Sequence, residues 1–274
     1  MSDEATPALT VWITGASSGI GRALAMEWAS QGARLILSGR DQARLDEVAG
    51  QAGIETLVLP FEARDEAAMT AAVARAMEWA GRIDVLVNNA GISQRSQAVH
   101  TSMQVYNDII EIDLLAPIAL TQAVLPHMVA QGSGRLVFIS SVAGKVGVPM
   151  RTAYCAAKFG LIGYADALRT EMSVKGVDVH VVAPGSVATN VSRNALNADG
   201  TPRNKSDRAI DNGIPAHEAA AEILGAIEAG QREIIIARGP EKAMGEMART
   251  PDALLDQMAG MVAAGYIEKM ESES

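Results

Sequence analysis

Three side chains that can move a proton lie close together along this chain. Tyr154 and Lys158 stand four residues apart, and Ser141 precedes the tyrosine by thirteen residues. Residues at i and i+4 share one face of a helix, so the Lys158 ammonium can favour the Tyr154 phenolate and lower its pKa from about 10. Ser141 follows an apolar run and can donate a hydrogen bond to a reacting oxygen. The spacing predicts a general acid/base for carbonyl or alcohol chemistry.

A glycine-rich turn follows the first apolar run of the chain. Gly15, Gly19 and Gly21 stand between that run and an amphipathic stretch at 20–31. In such a turn the glycines allow a tight bend, a close approach of backbone to pyrophosphate, and close packing of the helix on the strand. The helix N-terminus attracts phosphate charge. Plain loops also contain such glycines, but this position at the start of a strand–helix alternation favours a dinucleotide site.

The end of the second apolar run bears on which nicotinamide cofactor is preferred. An acidic residue there would bind the adenosine ribose 2′-hydroxyl and repel a 2′-phosphate. This chain has Ser38 and Gly39 followed by Arg40. A guanidinium suits bidentate contact with phosphate. The sequence predicts NADP(H) over NAD(H), with Arg40 as a solvated helix-start charge as the alternative.

Short apolar runs that alternate with stretches of helical period must position these residues. Several of the runs are continuous rather than alternating, as in strands buried on both faces. This alternation predicts a single α/β domain over residues 1–274, with a doubly wound, seven-stranded parallel sheet and helices on both faces. The predicted strands are 9–14, 34–38, 56–61, 83–88, 135–140, 177–183 and 233–237.

Two segments depart from this alternation. Residues 190–213 are polar with little helical period, and they follow a strand end, where ligands of open α/β sheets bind. We predict a mobile substrate lid there, with an inert surface loop as the alternative. Residues 240–270, which are rich in methionine, predict a C-terminal helical extension that serves packing or subunit contact, with an adaptable binding surface as the alternative.

Composition excludes several classes of protein. A net charge of −9 disfavours nucleic acid as a partner. One cysteine, Cys155, and four scattered histidines predict no disulfide and no metal site. No run reaches about eighteen apolar residues, which predicts no membrane span. The acidic N-terminus lacks a secretory pattern, so a cytoplasmic setting is expected.

These motifs together resemble the short-chain dehydrogenase/reductase family over nearly the whole chain. The resemblance rests on 14–21, on Asn88-Asn89-Ala90-Gly91, on the Ser141, Tyr154 and Lys158 set, and on Pro184-Gly185 with Thr189. Residues 139–158 are most similar to the branch near 11β-hydroxysteroid dehydrogenase. The resemblance implies a Rossmann-type fold, an NAD(P)-dependent oxidoreductase and an apolar carbonyl or alcohol substrate. It also implies a homodimer or homotetramer formed through the helices that carry Asp113 and Tyr154.

Roles carried over from the family follow the matching positions. Tyr154 exchanges a proton with the substrate oxygen, Lys158 lowers the tyrosine pKa and binds the nicotinamide ribose, and Ser141 orients the substrate. The remaining cofactor contacts implied are Gly15, Ser17, Ser18, Gly19, Ile20, Gly21, Arg40, Glu62, Ala63, Asn89, Ala90, Gly91, Pro184, Gly185, Val187 and Thr189.

The chain departs from the family pattern at two positions. Asp113 stands where an asparagine usually supports a water relay to the lysine, and we expect its charge to raise the pH of optimal activity. Glu62 replaces an aspartate near the adenine. Two alternatives to the oxidoreductase remain: a cofactor-binding regulator or scaffold with little turnover, and an epimerase or dehydratase of the same fold.

Overall fold

The computed structural model describes residues 8–247 and 252–265, and these form strands and helices in regular alternation. The strands of the main sheet are β1 (Thr10–Thr14), β2 (Arg34–Gly39), β3 (Thr56–Pro60), β4 (Val85–Asn88), β5 (Gly134–Ile139), β6 (Val177–Pro184) and, introduced here ahead of two short strands, β9 (Glu233–Ile236). The short strands β7 (Val187–Ala188) and β8 (Ile214–Pro215) pair with each other. The helices are α1 (Gly19–Ser30), α2 (Gln42–Ala52), α3 (Glu66–Ala80), α4 (Met103–Ile110), α5 (Ala116–Gln131), α6 (Thr152–Met172), α7 (Arg208–Asp211), α8 (Ala216–Glu228), α9 (Gly239–Gly245) and α10 (Asp252–Ala263).

The main sheet is parallel throughout, in the order β3-β2-β1-β4-β5-β6-β9. The order reverses between β1 and β4, whose carboxyl ends therefore border the crevice where open α/β sheets bind ligands. The predicted seven-stranded, doubly wound sheet is confirmed.

Alternate residues of each strand bury their side chains on opposite faces of the sheet. Along β1, Val11 and Ile13 pack with α1, α2 and α8, whereas Trp12 between them packs with α3, α5 and α6. Both faces are covered by apolar helices, which is why the strands read as continuous apolar runs. The core thus holds the carboxyl ends of the strands in a fixed arrangement.

Residues 190–213 fold over one end of the sheet as an irregular segment that includes α7 and ends where β8 begins. Leu196 forms isolated bridges with Gln94 and Pro202, and its amide donates to the carbonyl of Ser93. Ser192 and Ser206 hydroxyls lie 3.0 Å apart. The segment, called the lid below, is attached to the loop after β4. Its mobility remains a prediction.

The C-terminal extension is helical where the structure describes it, in α9 and α10. Glu241, in the first turn of α9, accepts hydrogen bonds from the amide of Ser186 at 2.7 Å and from its hydroxyl at 2.8 Å. The extension therefore reaches back to the loop after β6. Residues 248–251 and 266–270 of the predicted extension lie outside the described residues.

One continuous helical stretch is both long and apolar. α4, a π-helical turn at Glu111–Leu115 and α5 together span Met103–Gln131, which by length and composition alone could cross a membrane. Core helices meet the same criterion, and Leu120, Val124 and Met128 of this stretch are buried against α3, α6 and the sheet. The stretch is not a continuous apolar run, and it is weak evidence of a membrane span.

Candidate active site

The catalytic side chains predicted from the sequence lie together at the carboxyl ends of β4, β5 and β6. Tyr154 and Lys158 project from the first turns of α6, and the Lys158 ammonium lies 5.7 Å from the centre of the Tyr154 ring. Ser141, two residues after β5, donates to the carbonyl of Pro184 at 3.3 Å, and its hydroxyl lies close enough to Tyr154 to lower the pKa of that side chain. Tyr154, Lys158 and Ser141 are all buried, at 9%, 4% and 8% exposure.

Lys158 is held by partners on two other elements. Its ammonium donates to the carbonyl of Ile139 at 3.1 Å and forms an ion pair at 3.1 Å with Oδ2 of Asp113. The other carboxylate oxygen of Asp113 accepts from the amide of Ile92 at 2.7 Å. Asp113 is completely buried. The carboxylate therefore joins the loop after β4 to Lys158.

Asp113 lies in the π-helical turn between α4 and α5. Such a turn adds a residue to the helix and re-aims its side chains, and it occurs often at functional sites. A Cβ on Gly91 would lie 2.9 Å from Oδ2 of Asp113, so only glycine allows this approach. The last glycine of the Asn-Asn-Ala-Gly motif thus makes room for the carboxylate.

Burial and charge act in opposite directions on the three coupled groups. Burial raises the pKa of Tyr154, the Lys158 charge lowers it, the Asp113 charge raises it, and the net direction is upward. Burial likewise raises the pKa of Asp113, and the charge of Lys158 only partly opposes this. Burial lowers the pKa of Lys158, but the charges of Asp113 and Tyr154 outweigh it and the net direction is upward. Lys158 therefore acts on Tyr154 in the predicted direction, although burial outweighs it here.

The glycine-rich turn has the close contacts that a pyrophosphate cradle needs. A Cβ on Gly21 would lie 2.4 Å from the Asn89 amide nitrogen and 2.5 Å from the Gly15 carbonyl oxygen. Gly15 and Gly19 have φ of +64° and +56°, in the left-handed region that favours glycine. Ser18, at the N-cap of α1, makes no side-chain cap. The first amides of α1 are thus available to a phosphate, and the turn fits the dinucleotide expected there.

Asn89 and Thr14 connect this turn to the catalytic half of the sheet. The side-chain amide of Asn89 donates to the backbone carbonyls of Thr14 at 2.9 Å and Gly15 at 3.3 Å. The Thr14 hydroxyl accepts hydrogen bonds from the backbone amides of Asn89 and Ala90 at 3.0 and 3.1 Å. The predicted residues Asn89, Ala90 and Gly91 therefore lie between the turn and Asp113.

The predicted contacts after β6 also reach the turn. A Cβ on Gly19 would lie 3.2 Å from the Thr189 side chain, which places the start of α1 against the strand that follows Pro184-Gly185. Val187 is buried in β7. A cavity of about 490 Å³ opens beside Gly19 and Thr189, between α1 and α8, and neither Ser141, Tyr154 nor Lys158 lines it.

The residues predicted to bind the adenosine end lie apart, at the ends of β2 and β3. The Ser17 hydroxyl oxygen lies 3.8 Å from the position that a Cβ on Gly39 would take. The turn therefore borders the segment that leads to Arg40. Arg40 is exposed. Glu62 is exposed too and accepts from the amide of Ala63 at 3.0 Å. Ser38 is turned away, since its hydroxyl accepts from the indole of Trp12 at 2.8 Å.

Gln94 is a functional residue that the sequence did not reveal. Its side-chain oxygen accepts from the amides of Ala153 at 2.8 Å and Tyr154 at 3.4 Å, which caps the first turn of α6. Its amide nitrogen donates to the hydroxyls of Ser96 and Thr101 at 3.2 Å. Gln94 is fully buried. It fixes the start of the helix that carries Tyr154, and only a partner 59 residues away identifies this role.

Comparison with known proteins places these features in one family. A model of the short chain dehydrogenase family matches residues 9–200. A dehydrogenase/reductase SDR family member 7B of Danio rerio is 39% identical over 244 residues, which is 85% of this chain and 79% of the relative. The human dehydrogenase/reductase SDR family member 7 is 39% identical over 196 residues, 69% of this chain and 58% of the relative.

Solved structures have the same fold. A short-chain dehydrogenase from Streptomyces avermitilis has a TM-score of 0.79 at 27% identity and covers 97% of this chain and 98% of its own. A short chain dehydrogenase/reductase from Burkholderia phymatum in complex with NAD has a TM-score of 0.76 at 22% identity. The match covers 83% of this chain and 88% of the Burkholderia chain. An alcohol dehydrogenase from Thermococcus sibiricus complexed with 5-hydroxy-NADP has a TM-score of 0.73 at 21% identity. The match covers 85% of this chain and 99% of the Thermococcus chain.

Proposed function

Because the chain belongs to the short-chain dehydrogenase family and is an NAD(P)-dependent oxidoreductase, we propose that it transfers hydride between NADP(H) and a carbonyl or secondary alcohol. The observation that carries the proposal is the buried set of Ser141, Tyr154 and Lys158 beside a turn that only glycines can form. The bound nicotinamide supplies the hydride. Side chains of this protein orient the substrate and transfer the proton.

Tyr154 is the proton donor in reduction and the acceptor in oxidation. Its side chain is buried and lies close to Ser141, so the same two groups can meet one substrate oxygen. Ser141 orients that oxygen. The Lys158 charge stabilises the phenolate that forms when the proton leaves. Burial opposes that ionisation, and the Lys158 charge offsets part of that effect.

Asp113 holds Lys158 in place and provides an exit for the proton. The ion pair fixes the ammonium between Tyr154 and the carbonyl of Ile139. A carboxylate can accept from a relay water as the family's asparagine does, but its charge also raises the pKa of Tyr154. We therefore propose a working relay whose activity optimum lies at higher pH than an asparagine would give.

The preference for NADP(H) rests on Arg40. The residue is exposed directly after β2, beside the turn that would hold the pyrophosphate, and no acidic residue stands at the strand end. A guanidinium there can bind a 2′-phosphate in bidentate fashion. Glu62 would meet the adenine in the position of the family's aspartate.

The substrate we propose has an apolar body. Val142 and Ala143 follow Ser141 and are buried, and Val148 and Leu196 pack on the cluster that contains Tyr154. Leu196 belongs to the lid, so the lid closes the apolar side of the site. These contacts support a substrate larger than a short aldehyde.

Assembly and location are also proposals. Half-buried apolar side chains, among them Ile118, Leu125, Ile162 and Tyr164, lie on α5 and α6. A homodimer or homotetramer formed through these helices would cover them, and sedimentation would give the subunit number. The expected cytoplasmic setting would be tested by cell fractionation, with recovery in the membrane pellet as the contrary result.

Tyr154→Phe is the test of the proposed reaction. The variant removes one hydroxyl from a ring that stays packed, so we expect NADPH binding measured by fluorescence to stay at the wild-type level. Reduction of a panel of apolar ketones should fall by about 100- to 10,000-fold. Wild-type protein that binds NADPH and reduces none of the panel would favour the regulator. Product formation without net oxidation of NADPH would favour an epimerase or dehydratase.

A further inference from the structure

Three arginines surround one aspartate where the lid meets the catalytic helix. Arg95 binds Oδ2 of Asp207 through Nε at 2.7 Å and also through Nη2. Arg203 binds Oδ1 at 2.6 Å, and Nη2 of Arg151 lies 3.8 Å from Oδ2. We call these four residues the arginine cluster. Its members come from the loop after β4, the residue before α6, and the lid.

The cluster carries more positive than negative charge. The pKa of Asp207 is raised by burial but lowered more by its hydrogen bonds to Arg95 and Arg203, and the net direction is downward. The carboxylate is thus ionised at neutral pH and offsets one of three guanidinium charges. The side chains of Arg95 and Arg151 are only 14% and 19% exposed. Buried charge of one sign is costly unless a partner balances it.

Arg151 is the member with hydrogen-bonding capacity to spare. Its Nε is buried without a hydrogen-bond partner among the described residues. Its contact with Asp207 is longer than a hydrogen bond, whereas Arg95 and Arg203 are enough to hold that carboxylate. A structural tie between lid and loop therefore does not explain Arg151, whose guanidinium can still present a donor fork to an anion.

The arginine cluster lies beside the proposed catalytic tyrosine. Arg151 is the N-cap of α6 and precedes Tyr154 by three residues, a rise of about 5 Å along a helix. Arg95 follows Gln94, whose side chain binds the amide of Tyr154. Leu196 of the lid packs on the cluster of apolar side chains around Tyr154. An anion at Arg151 would thus be within reach of a molecule whose carbonyl meets Tyr154.

The wider charge pattern favours an anion at this end of the site. The lid together with Arg95 and Arg151 contains six cationic and three anionic side chains, a surplus of three positive charges, in a chain whose net charge is −9. The lid cations are Arg193, Arg203, Lys205 and Arg208, and its anions are Asp199, Asp207 and Asp211. A local positive region on an acidic protein attracts anionic ligands to that region.

We infer that the arginine cluster binds an anionic group, a carboxylate or a phosphate, at the far end of the carbonyl substrate, with Arg151 as the contacting residue. The inference rests on the proposed function and deepens it: the substrate has an apolar body, a reacting carbonyl and an acidic end. Asp207 is the positioning residue that holds Arg95 and Arg203 and closes the lid over that end.

Binding can be tested without turnover. Alkanoates, alkyl phosphates and alkanols of four to ten carbons would be added to the NADPH-loaded protein, and the midpoint of thermal unfolding would be recorded. We expect the acids to raise the midpoint more than alkanols of equal length, and the acid with the larger effect identifies the group as carboxylate or phosphate. Arg151→Gln should abolish the difference, and Arg151→Lys should restore part of it.

Arg208→Gln is the matched control, because it removes one exposed positive charge from the lid, whereas the ion pairs described for Asp207 are with Arg95, Arg151 and Arg203. It should keep the difference between acids and alkanols. NADPH affinity and the ligand-free midpoint of Arg151→Gln should match the wild type. Equal midpoint shifts for acids and alkanols in the wild type, or equal losses in Arg151→Gln and Arg208→Gln, would overturn the inference.

A kinetic arm separates this inference from the proposed reaction. Oxo-alkanoates, oxo-alkyl phosphates and the corresponding uncharged esters (methyl esters of the acids and dimethyl esters of the phosphates) would be compared as substrates. Arg151→Gln should raise KM for the acids by about 10- to 100-fold and leave the esters unchanged, as expected for loss of a charge-assisted hydrogen bond. If no carbonyl is reduced while the thermal shift still depends on Arg151, the proposed reaction fails and the anion site stands.

Discussion

The two ends of the cofactor crevice hold their polar groups in different ways. At the catalytic end, Asp113, Lys158 and Tyr154 are buried and bound by partners from three segments of chain. At the adenosine end, Arg40 and Glu62 are exposed, and the Glu62 side chain accepts a hydrogen bond from the next backbone amide. Proton transfer needs groups fixed before the substrate arrives. Recognition of an exposed phosphate can be completed by the ligand itself, so the adenosine end should tolerate substitution better.

The largest effect expected from breaking the catalytic end is that of Lys158→Met. The variant should lower kcat for ketone reduction by about 100- to 10,000-fold. It also leaves the buried Asp113 carboxylate without its cation, which should cost about 3–5 kcal/mol in the free energy of unfolding, measured in urea.

The double variant Lys158→Met, Asp113→Leu separates the two consequences. It removes both charges and should recover much of the stability but none of the activity. Recovery of activity would contradict the role of Lys158. A single variant as stable as the wild type would contradict the ion pair.

The next largest effect should come from the glycine turn that joins the two ends. Gly21→Ala places a Cβ against the Gly15 carbonyl and the Asn89 amide, so the backbone must move. We expect a loss of about 1–3 kcal/mol in the free energy of unfolding and markedly weaker NADPH binding.

Gly50→Ala is the control for that variant, because an added Cβ there meets nothing within 4 Å and the residue is exposed in α2. It should keep NADPH affinity and gain up to about 1 kcal/mol from helix propensity. Equal NADPH affinities in the two alanine variants would refute the close contact at Gly21.

Asp113→Asn sharpens the comparison by replacing the carboxylate with an amide of the same size, which removes the negative charge beside Lys158. The Asp113 carboxylate raises the pKa of Tyr154, so the amide should lower it. Alcohol oxidation needs Tyr154 as a base, and its acid limb should therefore move to lower pH. The measurement is kcat/KM against pH for both proteins, and superimposable profiles would exclude the proposed effect of Asp113.

The smallest effect is expected at the adenosine end. Arg40→Ala should weaken NADPH binding by about 10-fold, because the lost contact is charge-assisted but exposed. NADH binding should stay the same. Arg44→Ala removes another exposed arginine, which pairs with Asp41 at 3.3 Å, and should change neither affinity. Tighter binding of NADH than NADPH by the wild type would overturn the cofactor preference.

The sequence predicts features that neighbouring residues encode, and it does not predict contacts between distant segments. The strands and the parallel sheet follow from local periodicity, and the family follows from motifs whose residues lie close together in sequence. The partner of Asp113 in the structure was expected only from the family relay. Gln94 was missed, since its oxygen caps a helix that begins 58 residues later.

The sequence by itself determined the alternation of strands and helices, the glycine turn and the Tyr154–Lys158 spacing, because each is written in neighbouring residues. The tertiary structure alone decided which polar groups from distant segments form hydrogen bonds with each other. Asp207 meets Arg95 across 112 residues, and Glu241 meets Ser186 across 55. A polar side chain looks the same in sequence whether it is solvated or paired. Its partner is chosen only when the packed sheet and helices bring distant segments within hydrogen-bonding distance.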